Sequence, residues 1–293
     1  MLGFDLQVME WIQTLHRLGG SAMDLFFACC TFLGEETFLL VAVFGLYWCA
    51  NKRLGELMLL SLFSSLGLNG LCKDLVRRPR PFLTSGFEDR RYVVIENFLV
   101  NTTKLGESFS FPSGHSQCAG AFFGTLALWS RKKGEVLFCT LAVALVMLSR
   151  VYLGVHFPTD VLAGGLVGVG MAWLSWALFR QFYEKKIWIF GGAVLLASLG
   201  LLVEPSPDTI KTVGVGIGAL LGLLWEEKVN FSVDGTLPRR ILRLVAGGAL
   251  LMLVRVGLKA LLPEGLLFDG LRYACVGAAA TGFWPWAFTR LKL

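Results

Sequence analysis

Apolar runs long enough to cross about 30 Å of hydrocarbon recur along almost the whole chain. A backbone in lipid must satisfy its own polar groups, so it spans either as helices or as a closed barrel. These runs are continuous, without the period-two alternation of barrel strands, which selects helices. Hydrophobic residues make up 55% of the 293 and charged residues only 16%, outside the range of an ordinary soluble domain. The chain is therefore expected to be all-α, a polytopic integral-membrane helical bundle. Spans are expected at about 35–50, 54–77, 113–130, 134–153, 158–183, 187–203, 209–225, 241–262 and 270–289, about nine in all. Ahead of them, residues 4–18 place Phe4, Val8, Trp11, Ile12 and Leu15 at helical spacing, the pattern of an interfacial helix, and a short apolar piece follows at 21–33.

Basic residues orient the bundle. Lys52 and Arg53, Arg131 to Lys133, Lys185 and Lys186, Arg239 and Arg240, and Arg290 and Lys292 flank spans on one side, which the positive-inside rule makes cytoplasmic. Connections 154–157, 204–208 and 263–269 are short, poor in base and exoplasmic by count. The 78–112 connection lies on that same exoplasmic side yet carries several arginines, so its charge needs another explanation. The net charge of +6 fits basic cytoplasmic loops and gives no sign of a nucleic-acid partner. Seven cysteines, mostly inside apolar runs, show neither a disulfide framework nor a zinc pattern. The N-terminus lacks the basic start and cleavage site of a removable signal peptide. Glycine-rich runs at 164–170 and 214–222 suit close helix packing; neither follows a strand or carries a Walker lysine.

Three polar stretches interrupt this pattern. In Ser149–Asp160, SRVYLGVHFPTD, Arg150 stands at the end of an apolar run, where a cation is costly and usually marks a site. Pro158 suits the first turn of a new helix, which lets the Asp160 carboxylate reach back to one nitrogen of His156 and leave the other nucleophilic. Arg150 offers a planar fork to phosphate. Taken alone, a buried ion pair at a span end has the same residues. In FPSGH, Gly114 permits close backbone approach at a helix start that favours anions, Ser113 adds a hydroxyl, and His115 can carry a proton. Taken alone, this is also a serine cap beside an interfacial histidine. In KDLVRRPRP, Lys73 and Arg80 would grip phosphate oxygens, and Pro79 and Pro81 end the helix. The alternative is a basic flank contacting headgroups, on the wrong side for the positive-inside rule.

All three stretches end on the exoplasmic face. Two histidines, an aspartate, two arginines, a lysine and a helix start suit phosphoryl transfer without a metal: histidine attacks phosphorus, cations and amides hold the equatorial oxygens, and a second histidine protonates the leaving oxygen. No carboxylate cluster is present at that face to hold Mg²⁺, so no metal and no cofactor are expected.

The order KxxxxxxRP, PSGH, SRxxxxxHxxxD resembles the three-part signature of the type 2 phosphatidic acid phosphatase superfamily. It matches at Lys73, Arg80 and Pro81, at Pro112 to His115, and at Ser149, Arg150, His156 and Asp160; the overlapping Arg78–Pro79 does not fit the spacing. The resemblance covers about residues 20–183. It implies that His156 forms a phosphohistidine oriented by Asp160, that His115 is the general acid, and that Lys73, Arg80, Ser113, Gly114 and Arg150 bind substrate phosphate. It divides the chain into 1–183, an interfacial helix and phosphatase core, and 184–293, an appended set of helices. That appended layout is similar to sphingosine-1-phosphate phosphatases and glucose-6-phosphatases.

The expected function is hydrolysis of a lipid phosphomonoester or diphosphate on the exoplasmic face of a bacterial plasma membrane. Candidate substrates are undecaprenyl diphosphate, phosphatidic acid or phosphatidylglycerophosphate, and sphingoid phosphates. The bilayer and the lipid phosphate are the expected partners, and no motif encodes an oligomeric state. Phosphotransfer to another lipid, or a non-enzymatic transporter or scramblase, are the alternatives. His16 is read as non-catalytic. Arg255 and Lys259, at i and i+4 on the 241–262 span, read as snorkelling cations or as further phosphate contacts.

Overall fold

A computed structural model describes residues 2–84, 94–95 and 108–293. Every regular element among them is helical: α1 Leu2–Phe32, α2 Glu36–Cys49, α3 Lys52–Val76, α4 Gly114–Ser130, α5 Lys133–Tyr152, α6 Pro158–Gln181, α7 Lys186–Ser198, α8 Pro207–Val229, α9 Leu237–Leu261, α10 Leu266–Ala278 and α11 Trp284–Arg290. Short 3₁₀ turns lie at Pro81–Leu83 and Tyr183–Lys185, and a π turn, Ala279–Phe283, joins α10 to α11. Of the arginine-rich 78–112 connection only 78–84, 94–95 and 108–112 are described.

The protein is an integral membrane protein, and its helices set the span count. Among the described residues six are long and apolar enough to cross a bilayer, and a seventh crossing is made if the pair Gly3–Phe32 and Glu36–Cys49, bent by 45°, counts as one. The expected nine is not reached by this measure, for two local reasons. The 113–130 span forms a helix of 17 residues. The 270–289 span is broken by the π turn into helices of 13 and 7 residues.

The chain divides into two compact units, Met1–Leu39 with Cys72–Leu174, and Leu40–Leu71 with Ser175–Leu293. In the first unit α1 breaks at Gly20, whose φ of 52° and ψ of −143° are open to glycine but costly to other residues. The break separates the two apolar pieces expected at 4–18 and 21–33. Met9 and Ile12 of the first piece, with Phe27 of the second, pack on Val151, Tyr152, Phe157 and Val161. Tyr152 stacks on Phe27 at a centroid distance of 4.0 Å and donates to Asp24 Oδ1 at 2.6 Å. Phe4 and Trp11 stay exposed, so the N-terminal helix buries one side on the segment that carries the Ser149–Asp160 stretch.

Glycine brings α4 and α6 together at backbone distance. A Cβ added at Gly164 would stand 2.5 Å from the Ser113 carbonyl oxygen, closer than real contacts allow. Gly168 faces the Gln117 carbonyl, and Gly120 faces that of Gly165, in the same way. The 164–170 run is thus a packing face, as its composition suggests.

The second unit has an apolar core that includes Tyr47, Trp48, Phe190, Leu223, Phe231, Trp284 and Phe288. Its glycines at 214, 218 and 222 lie against Gly270, Ala274 and Gly282, so α8 packs closely along α10 and the π turn. Fully buried Glu56 and Glu226 are tied to Lys186 and Lys52: Lys186 Nζ is 2.7 Å from Glu56 Oε1, and Lys52 bonds Glu226. Tyr183 donates to the other Glu56 oxygen at 2.9 Å. Two of the lysines counted as loop flanks in the sequence therefore also close an ion-pair network.

Candidate active site

Helix α6 opens at Pro158, whose fixed φ suits a first helical turn. Asp160, two residues on, caps its own helix by accepting the Phe157 amide on Oδ2 at 2.9 Å. That carboxylate is fully buried and further engaged. Arg78 Nη1 donates to Oδ1 at 2.6 Å, and the Ser110 hydroxyl donates to Oδ2. The Asp160 carbonyl also accepts the Ser113 amide at 3.1 Å, which ties the FPSGH stretch to the start of α6.

His156 lies just before this helix and is 2% exposed. Its Nδ1 is 3.7 Å from Asp160 Oδ2, beyond a hydrogen bond, and 3.3 Å from Ser110 Oγ. Asp160 therefore does not reach the imidazole directly; Ser110 relays between them. On the far side, Arg80 Nη1 faces His156 Nε2 at 3.2 Å. Because a guanidinium only donates, Nε2 accepts and the network assigns the proton to Nδ1. Arg80 is oriented by Ser108, through Nε to its carbonyl at 3.0 Å and Nη2 to its hydroxyl at 2.7 Å.

Arg150, in the last turn of α5, is 1% exposed. Its Nη1 donates to Thr31 Oγ1 at 2.7 Å, while among the described residues its buried Nε has no partner. A buried unsatisfied donor is rare and calls for an explanation such as a ligand. His115, in the first turn of α4, has Nε2 3.1 Å from Glu35 Oε2. Ser113 is the N-cap of α4 and accepts from the Ser116 amide and hydroxyl; the first-turn amides that follow it, from Gly114 on, start the helix. Lys73 is in the last turn of α3.

The residues read from the sequence are brought together in the first unit. Burial first, then the charges of Arg80, Arg150 and Lys73, and then His115, hold the His156 imidazole well below its usual 6.5. His156 therefore stays neutral beside a group of cations. Among the described residues no three of His, Cys, Asp or Glu gather into a metal-binding group.

Several contributors escape sequence reasoning. Arg78 lies in the RRPRP overlap and fails the motif spacing, yet it is the arginine on Asp160. Its Nη2 donates to fully buried Asp5 at 2.7 Å, and Asp5 also accepts the Thr159 amide at 3.0 Å. An acid alone in an apolar segment is a usable signal for Asp5. Glu35 carries a related signal, in the acidic pair Glu35–Glu36 that follows Gly34 between two apolar runs. Ser110 and Thr31 carry none, because a serine or threonine in such a stretch is ordinary.

Comparison with known proteins places this geometry in context. The family model described as PAP2 superfamily matches residues 56–184, and the one described as PAP2 superfamily phosphatase, transmembrane extension, matches 210–293. Phosphatidylglycerophosphatase B of Bacillus subtilis is 34% identical over 168 residues, 53% of this chain and 72% of the relative. Undecaprenyl-diphosphatase of Sulfolobus acidocaldarius is 33% identical over 157 residues, 52% of this chain and 68% of the relative. A crystal structure of a PAP2-type phosphatidylglycerolphosphate phosphatase from Bacillus subtilis is similar at TM-score 0.47 and 28% identity, over 60% of this chain and 86% of that one.

Proposed function

The chain belongs to the PAP2 superfamily and is a membrane phosphatase, and from that premise we propose that it hydrolyses a lipid phosphomonoester or diphosphate through a phosphohistidine on His156. The observation that carries this reading is the neutral, buried His156 ring, with Nδ1 on Ser110 and Nε2 facing Arg80.

In the first step the Nε2 lone pair attacks phosphorus and the bond from phosphorus to the lipid oxygen breaks. Arg80 moves its donor from Nε2 to a phosphate oxygen. Arg150, through its unpartnered Nε, Lys73, and the first-turn amides around Gly114 hold the other equatorial oxygens, with Ser113 fixing that turn. His115, oriented by Glu35, gives its proton to the leaving lipid oxygen. Ser110 and Asp160 stabilise the charge that develops on the His156 ring. In the second step water attacks phosphorus, His115 takes the water proton, and the bond to Nε2 breaks, releasing inorganic phosphate and neutral His156. No step calls for a metal.

The phosphate chemistry belongs to residues 1–183, and 184–293 form an added helical set. Flanking lysines and arginines on the other side of the bundle support an exoplasmic site in a bacterial plasma membrane. The names of the relatives support phosphatidylglycerophosphate and undecaprenyl diphosphate as the first substrates to try.

The test is rapid-quench labelling with a radiolabelled lipid phosphate panel. The parent is expected to carry an acid-labile, base-stable phosphate and to release inorganic phosphate stoichiometrically, whereas His156→Ala does neither. Turnover of His156→Ala at the parental rate would end the proposal, and phosphate passed only to a second lipid would replace hydrolysis by transfer.

A further inference from the structure

The second unit contains a charged cleft that phosphoryl transfer does not use. About 440 Å³ in volume, it opens between α8, α9 and α10. Lys211 reaches it from α8, Arg255 and Lys259 from α9, and Arg272 from α10, against the carboxylates of Glu264 and Asp269. Asp269 is already paired with Arg272 on its own helix. Lys211 lies 3.8 Å from Asp208, whose side chain is 81% exposed and whose attraction water therefore screens. Positive charge is left in excess around one cavity.

The setting makes that excess costly. In the most apolar window of α9 only 11% is buried within the protein, so the described residues leave most of this helix open to the bilayer. Arg255 stands six residues, roughly 9 Å, before the end of α9. Snorkelling accounts for Lys259, a long flexible cation in the last turn. It does not account for Arg255, whose guanidinium lies 5.9 Å from the ring centre of Tyr273 on α10, turned into the cleft. Cations that converge at the edge of the hydrocarbon repel one another unless an anion lies among them.

We propose that this cleft binds a phosphate-bearing anion, with Arg255 and Lys259 as its principal contacts and Lys211 as a third. Arginine supplies a fork to two phosphate oxygens with the Tyr273 ring 5.9 Å from its guanidinium carbon, and the lysines act as point charges. At this position the phosphate comes either from the headgroup of an anionic phospholipid or from free phosphate. None of the residues lining the cleft belongs to the set around His156, and the proposal does not depend on the proposed catalytic roles.

Native mass spectrometry of the full chain, released from phosphatidylcholine nanodiscs with and without phosphatidylglycerol, tests this. The parent is expected to retain phosphatidylglycerol in preference to phosphatidylcholine, and the Arg255→Gln/Lys259→Gln variant to bind it about tenfold more weakly or worse. Lys211→Gln, on a different helix, should show a smaller loss and decides the matter if the double variant does not fold. Inorganic phosphate added before release distinguishes the sources: displacement of the lipid marks a site for free phosphate, and undisturbed retention marks a headgroup site. His156→Ala should retain the lipid as the parent does, whatever happens to turnover. Equal retention by parent and variants, or equal retention of the two lipids, overturns the proposal.

Discussion

Arg78 joins Asp160 to Asp5, donating through Nη1 to one carboxylate at 2.6 Å and through Nη2 to the other at 2.7 Å. The carboxylate behind the proposed nucleophile is therefore held by the first helix of the chain, and the guanidinium is also seated 4.0 Å from the centre of the Phe157 ring. Arg78 acts through Asp160 and is a positioning residue.

Arg78→Gln should lower kcat about 10–100-fold, as loss of an orienting partner commonly does, with KM close to the parent. Lysine cannot span two carboxylates as a fork, so Arg78→Lys should recover little. Asp5→Asn should act on the same path, and its effect combined with Arg78→Gln should be less than additive in a double-mutant cycle. A kcat unchanged in Arg78→Gln would remove the role.

Ser110→Ala deletes the hydroxyl between His156 Nδ1 and Asp160. The 3.7 Å gap that remains is too long for a direct bond. Formation of the phosphoenzyme should slow by about tenfold or more while binding of a non-hydrolysable phosphonate lipid stays near parental. Parental single-turnover rates would show that the relay is dispensable.

The pH profile follows from the lowered His156 value. Burial, then Arg80, Arg150, Lys73 and His115, keep the ring neutral as pH falls through 6.5. Only below its folded-state value does it take a proton and lose its lone pair. The acid limb of kcat/KM, read on the free enzyme, should therefore lie below about pH 6.5, the ordinary imidazole value. An acid limb above that value would point to a different titrating group.

Chelation should leave turnover unchanged, because cations of the chain are proposed to carry the phosphate charge. Activity lost in EDTA and restored by a divalent ion would contradict the metal-free mechanism.

In the second unit, Lys186→Met leaves the fully buried Glu56 without its 2.7 Å partner. Removing one member of a buried pair costs about 3–5 kcal/mol. The variant should melt at lower temperature and, while folded, keep its kcat. A melting curve equal to the parent's would mean that Tyr183 suffices for Glu56.

The three polar stretches are legible in the sequence because two set charged residues and the third a serine and a histidine where an apolar chain should have none, at spacings a helix end explains. Pro158 and Ser113 mark helix starts by local chemistry, and both helices begin there. The span count is less legible. Hydropathy does not register the π turn at Ala279–Phe283, or that α2 continues a bent pair with α1. What the sequence hides most completely is partnership across distance. Asp5 is 73 residues from Arg78, and Ser110 is 46 from His156, so no local pattern connects them.

The approach of Gly164 to the Ser113 carbonyl sets how far apart two phosphate-handling segments lie. That separation is a main-chain dimension, like the gauge of a railway track. Rolling stock of different length can run on one gauge, and residues lining the path of a lipid tail can drift without altering it. Gly164→Ala, by contrast, widens the gauge itself: one methyl group, contacting no substrate, would derail the chemistry for every tail alike.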